Sequence, residues 1–130
     1  MYTLEQIKNA VEASWDADTA YPDGTWSPER PARAQCVVTA LVVQRYLGGD
    51  LEKLTSEYKG KPESHYRNIL PSGGVVDLTR SQYPSEQSLQ PSIVNLHGHK
   101  DVRDKMIHEP ETLARYELLL SRVMQRLEEI

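Results

Sequence analysis

Apolar positions recur along this chain in two rhythms, and each predicts a different kind of element. In residues 3–17, Leu4, Ile7, Val11 and Trp15 lie three and four apart, which gathers them on one face of a helix. Thr3 and Gln6 have capping-box spacing, in which each side chain bonds the other's backbone N–H. Tyr2 and Ile7 stand where a hydrophobic staple would fix the entry of the chain. Residues 18–34, DTAYPDGTWSPERPARA, contain three prolines and a glycine and read as a loop. The run QCVVTALVVQRYLGG is apolar all round and so is buried. Its β-branched residues suit a strand, but its length and the Gly48-Gly49 stop favour a helix from Cys36 to Leu47.

Residues 51–58 are ambiguous, with a short strand near Leu51–Leu54 the best reading. Residues 64–70 and 74–79, in SHYRNILPSGGVVDLT, alternate and read as a β-hairpin. Pro71-Ser72-Gly73 has the chemistry of a three-residue loop, with proline presetting the turn and Gly73 taking the left-handed position. That loop sets Leu70 opposite Gly74, Arg67 opposite Asp77 and His65 opposite Thr79. His65 and Asp77 are then diagonal neighbours on one face, whereas a one-residue slip would separate them. Tyr66, Asn68, Leu70, Val76 and Leu78 share the other face. The His65 face is expected to meet the helix that begins at Cys36. From Arg80 to Pro110 the chain is polar and irregular, with a short helix expected over 102–107. A stretch this long without structure is unusual in a compact domain; a lid over a site and a fixed covering loop both fit it. Residues 111–128 form a clear helix, with Leu113, Tyr116, Leu120, Val123, Leu127 and Ile130 in a stripe that Leu119 and Met124 widen. Neither repeats nor low-complexity segments are present.

Composition narrows the function classes. At 130 residues, 38% hydrophobic and 26% charged, the chain reads as one globular domain over 1–130. A net charge of −4 and no Lys/Arg block argue against nucleic acid as a partner. No apolar run has the length of a membrane span, and the charged start MYTLEQIKNA is unlike a signal peptide. A cytoplasmic protein is the expectation. Cys36 is the one cysteine, so no internal disulfide forms, in keeping with a reducing compartment.

That cysteine carries the candidate chemistry. A helix N-terminus and an adjacent imidazolium both favour the thiolate. His65 could take the thiol proton and later pass it to a leaving group, and Asp77 could fix the ring's orientation through its far nitrogen. The Cys36 backbone N–H would face a developing oxyanion. Gln35 is a candidate second oxyanion donor, and Trp26 a candidate pocket wall. Each residue also has a plainer reading. Cys36 is equally a small buried hydrophobe, His65 a strand residue bonded to a carbonyl, Asp77 a strand end, Gln35 a surface or capping group, and Trp26 a cover for the core edge. His97, His99 and His108 raise a metal-binding alternative, but His97-Gly98-His99 is only a pair, with no third ligand at a recognisable spacing, so no metal is assigned.

The order Cys36, His65, Asp77, with HYRN followed by Val76-Asp77-Leu78-Thr79, resembles the transglutaminase-like branch of the papain-like cysteine hydrolases. Over most of its length the chain is more closely similar to the YunG-like family of small bacterial proteins of uncharacterised activity, through AQCVVTALVVQRYLGG, SHYRNILPSGGVVDLTRSQYP and PETLARYELLLSRV. Two positions depart from the family pattern: Ala34 stands where glycine is expected, and Arg67 where tryptophan is more usual. Arg67 lies opposite Asp77 in the predicted register and is a competitor for its carboxylate.

The resemblance implies an α+β fold, with helices packed on a small antiparallel sheet in a papain-like, transglutaminase-like core. It implies a cysteine-dependent hydrolase or acyltransferase acting on an amide or ester through Cys36, His65 and Asp77, with no cofactor. The partner would be an acyl substrate, a protein or peptide side chain among the candidates, with neither nucleic acid nor membrane involved. A monomer or a weak dimer through the terminal helix is expected. The alternative is a non-catalytic binding or interaction module that keeps the fold with a degraded site.

Overall fold

The computed structural model describes residues 1–130. Helix α1 (Leu4–Ser14) opens with the reciprocal cap its sequence predicts: Gln6 N–H donates to Thr3 Oγ1 at 3.1 Å, and Thr3 N–H donates to Gln6 Oε1 at 2.9 Å. It stops short of the predicted residue 17. The Ser14 hydroxyl donates back to the Ala10 carbonyl at 2.7 Å, Trp15 turns extended, and the Asp16–Thr19 turn begins. Helix α2 spans Cys36–Leu47, as its sequence predicts. Its middle, Val38–Val43, is buried all round. Gly48 ends it at φ 74°, its N–H bonded to the Gln44 carbonyl. At the next residue, φ 81°, a Cβ would lie 2.1 Å from the Ile69 carbonyl oxygen, so only glycine lets the chain pass from α2 into the sheet.

The sheet is larger than the sequence suggests. Strand β1 (Asp50–Tyr58) pairs antiparallel with β2 (Lys61–Ile69) along its whole length. Lys59 and Gly60, both at positive φ (51° and 80°), make the two-residue turn between them, a geometry that matches the twist of the flanking strands. Strands β3 (Val75–Val76) and β4 (Gln90–Pro91) add two residues at each margin, giving the antiparallel order β3-β2-β1-β4. The predicted hairpin register stands: Asn68 pairs with Val76, Ile69 with Val75, and Leu70 N–H donates to the Gly74 carbonyl at 2.8 Å. The returning strand is shorter than predicted. The chain leaves the ladder after Val76, and a 3₁₀ turn at Arg80–Gln82 follows.

One expectation about the faces is overturned. The side of the sheet against α2 carries Leu51, Tyr66 and Asn68, not His65, and Asn68 Nδ2 donates to the Ala40 carbonyl at 2.9 Å. The Leu54, Ser56, Glu63 and His65 side is covered instead by the 79–92 segment, with Gln87 Nε2 bonded to Ser56 Oγ at 2.6 Å. His65 and Tyr66 are both buried because both sides of the strand are covered there.

Helix α3 (Val102–Ile107) is the short helix predicted in the polar stretch. Helix α4 (Pro110–Glu128) follows, its first turn capped by the Glu109 carboxylate. Tyr116, Leu119, Val123 and Leu127 of α4 join Ile7, Ala10 and Val11 of α1 and Val38, Leu41 and Val42 of α2 in one apolar cluster. Ile130, at the end of the predicted stripe, is 74% exposed. The fold is α+β, helices on one face of a four-stranded antiparallel sheet. No helix is long and apolar enough to cross a membrane.

Candidate active site

Because β3 pairs only with Asn68 and Ile69, residues 61–67 leave the outer margin of β2 unpaired. A cavity of about 350 Å³ lies along that margin, lined from both sides of the strand by Glu63, Ser64 and Tyr66, and by Cys36 from the start of α2. His65 is fully buried beside it. The ring Nε2 is 2.8 Å from Asp77 Oδ2, the diagonal contact the hairpin register predicts. Thr79 Oγ1 donates to the other Asp77 oxygen at 3.5 Å. With Nε2–H held by the carboxylate, Nδ1 is the nitrogen left to exchange a proton. Gln82 Nε2 lies 3.3 Å from Nδ1 and can donate to the neutral ring, whereas a protonated Nδ1 needs an acceptor. Burial would lower the pKa of His65, but hydrogen bonding to Asp77 and to the Cys36 thiol, with the charges of both, outweighs it and raises the value to about 9.

Cys36 is the first residue of α2 and is half-buried. Tyr66 titrates near 12, raised by burial first and then by the neighbouring sulfur. Gln35 makes no capping bond, so no side chain covers the first-turn N–H groups of the helix. Those donors point where negative charge on a carbonyl oxygen would be stabilised.

A polar frame holds the cavity in shape, and its members are not legible as site residues in the sequence. The Arg33 guanidinium forks onto both oxygens of Glu63, with Nη2–Oε2 at 2.7 Å, and Arg33 Nη1 also donates to Gln82 Oε1 at 3.1 Å. Tyr83 donates its hydroxyl to Glu63 at 2.7 Å and stands edge-on to the His65 ring, 5.3 Å between centroids. Burial would raise the Glu63 carboxyl, but its bonds from Arg33 and Tyr83 hold it below the usual range. Through Gln82 and Tyr83 this ionic pair fixes both the ring and the segment that covers it.

A model of the YunG protein family matches residues 3–128. The chain belongs to the YunG family. It is 32% identical over 80 residues to the protein named Uncharacterized protein YunG of Bacillus subtilis (strain 168), a match covering 62% of this chain and 63% of that protein. No solved structure matches.

Within this YunG-family chain, the two weaker site candidates are placed elsewhere. Gln35 is fully buried, and its carboxamide is engaged with the end of α1: Nε2 donates to the Asp16 carbonyl and Oε1 accepts from Thr19 Oγ1, both at 2.9 Å. It anchors the helix that carries the thiol and is not an oxyanion donor. Trp26 does not line the cavity; its indole N–H donates to the Pro31 carbonyl within its own loop at 3.0 Å. Arg67 does not compete for Asp77, because its Nε donates across the strands to Glu52 at 2.6 Å. Ala34, where the family pattern expects glycine, has φ 65°, the left-handed region that glycine enters without cost. The pairing of His97 with His99 is not what forms. His99 and His108 instead flank Asp104, their Nδ1 atoms 3.3 and 3.4 Å from its carboxylate oxygens, and His108 Nδ1 also lies 2.6 Å from the Asp104 backbone carbonyl.

Proposed function

We propose that this protein is a cysteine-dependent hydrolase or acyltransferase that acts on an amide or ester. The observation that carries the reading is the His65 ring, held by Asp77 at 2.8 Å beside a cavity that Cys36 lines from the start of α2. The Cys–His–Asp order and the Val76-Asp77-Leu78-Thr79 context, similar to the transglutaminase-like branch of the papain-like hydrolases, support it. So does the engagement of Arg67 with Glu52, which leaves Asp77 to the histidine.

In this reading the sulfur has passed its proton to His65 and attacks the substrate carbonyl. A C–S bond forms, the carbonyl π pair moves to oxygen, and the first-turn N–H groups of α2 receive that charge. Collapse of the intermediate breaks the bond to nitrogen or oxygen, and His65 gives its proton to the departing group. Water or an amine then attacks the thioester, His65 takes the proton of the incoming nucleophile, and the thiolate leaves. Asp77 keeps the imidazole aligned throughout.

The test is direct. Cys36 should react with iodoacetamide at pH 7 faster than in the urea-unfolded chain, and His65→Ala should slow that reaction at least tenfold. p-Nitrophenyl acetate should leave an acetyl group on Cys36, read by intact mass and absent from Cys36→Ala. A folded-state thiol no more reactive than the unfolded one overturns the proposal and favours a non-catalytic binding module.

A further inference from the structure

We infer that Arg115 is a carboxylate-binding residue of this site, so that the acyl donor carries a free carboxylate close to the bond that reacts. The inference rests on the hydrolase or transferase reading and narrows its substrate class. Four charged side chains line the cavity: Asp23, Arg33, Glu63 and Arg115. Three of them satisfy one another. Arg33 forks onto Glu63 and lies 3.9 Å from Asp23. Arg115 has no carboxylate within 4 Å. It makes a long bond from Nη2 to Thr112 Oγ1 at 3.4 Å, through which it faces the Glu109 carboxylate indirectly, and it stands over the Tyr21 ring at 5.4 Å.

Arg115 Nε is also the one buried side-chain nitrogen or oxygen in the molecule without a hydrogen-bond partner. Buried polar groups are nearly always paired, so this guanidinium, which lines the cavity, holds donor capacity that no group of the chain uses. A guanidinium stays charged at any relevant pH, and its fork of donors matches a carboxylate. The cavity, of about 350 Å³, is at the small end of ligand sites. Both the thiol and the guanidinium belong to its lining, so it takes a short acyl chain that carries a carboxylate. Helix α4 supplies this group, which gives the helix a part in recognition as well as in the core. A peptide C-terminus and the monoamide of a short dicarboxylic acid both carry the required chemistry.

Two alkylating reagents that differ only in charge test this. Iodoacetate and iodoacetamide both lose iodide to the Cys36 sulfur, and the His65 imidazolium favours the anion in every variant. The readout is therefore the ratio of the two rates. In Arg115→Gln the iodoacetate-to-iodoacetamide ratio should fall at least fivefold, with the iodoacetamide rate changed less than twofold. Arg115→Lys should keep most of the ratio. In the unaltered protein, glutarate should protect Cys36 from iodoacetamide and neutral glutaramide should not, a measurement that needs no variant to fold. An unchanged ratio in Arg115→Gln, or equal protection by the two additives, overturns the assignment of Arg115 while leaving the reactive thiol in place. A thiol inert to both reagents overturns the parent reading and this one with it.

Discussion

Replacing Asp77 by asparagine removes the charge that holds His65 protonated, and the consequence should be visible in folding stability as a function of pH. An ordinary histidine titrates near 6.5 and His65 near 9. Between those values the folded protein binds a proton that the unfolded chain has released, so stability falls as pH rises. The contribution is fully present below about pH 6.5 and gone above about pH 9. Each pH unit in the window is worth about 1.4 kcal/mol, so His65 contributes about 3 kcal/mol at the low end. The ring is fully buried, so solvent screening does not dilute that figure. Urea unfolding followed by Trp15 and Trp26 fluorescence, at pH 6 and pH 9.5, measures it. Asp77→Asn should be less stable than the parent at both pH values, and the gap should be larger at pH 6 by part of that about 3 kcal/mol, since the Cys36 sulfur also raises His65; the gap left at pH 9.5 is the charge-assisted bond from the neutral ring to the carboxylate. Titrating groups remote from His65 are common to both proteins and cancel in the difference. A gap of equal size at the two pH values would refute the argument, because it would mean that the carboxylate supports no proton on His65.

Two further outcomes follow from the geometry. Ala34→Gly should stabilise the protein by about 1 kcal/mol, since an L residue at φ 65° costs about 1–2 kcal/mol and glycine's larger unfolded entropy returns only part of it; a rise of a few degrees in Tm is the check. Arg67→Ala should cost under about 1 kcal/mol, as for other exposed cross-strand ion pairs, and should leave the iodoacetamide rate of Cys36 within twofold of the parent; a large rate change would restore Arg67 as a partner of Asp77.

What the sequence discloses here is what is local. The capping box at Thr3 and Gln6, the Gly48 stop of α2 and the Pro71-Ser72-Gly73 loop each act within a few residues, and all three appear in the structure. The hairpin register alone brings His65 to Asp77. The nine-residue strands β1 and β2 were obscured because charged and polar residues sit on both sides of them, and their burial comes from distant segments. Lys59-Gly60 was the available signal: a pair able to take two positive φ values in a row, between two alternating runs. The face that meets α2 is not legible, because the loop fixes which residues lie together and says nothing about which side another helix covers. Gln35 and Trp26 have the right chemistry and neighbourhood for a site, yet their partners, Asp16, Thr19 and Pro31, are set by the path of the loop. Arg33, Gln82 and Arg115 reach the cavity from three separate elements, and no spacing in the chain announces that.

The apolar cluster that joins α1, α2 and α4 has a consequence for biosynthesis. Helix α4 emerges from the ribosome after every other element described, and until it arrives the inner faces of α1 and α2 have no cover. A nascent chain with Cys36, His65 and Asp77 already translated therefore holds its thiol on an unclosed scaffold, open to oxidants and to other chains. Ordering of the sulfur is thus tied to the emergence of α4, and rapid docking of one late amphipathic segment decides how long that interval lasts.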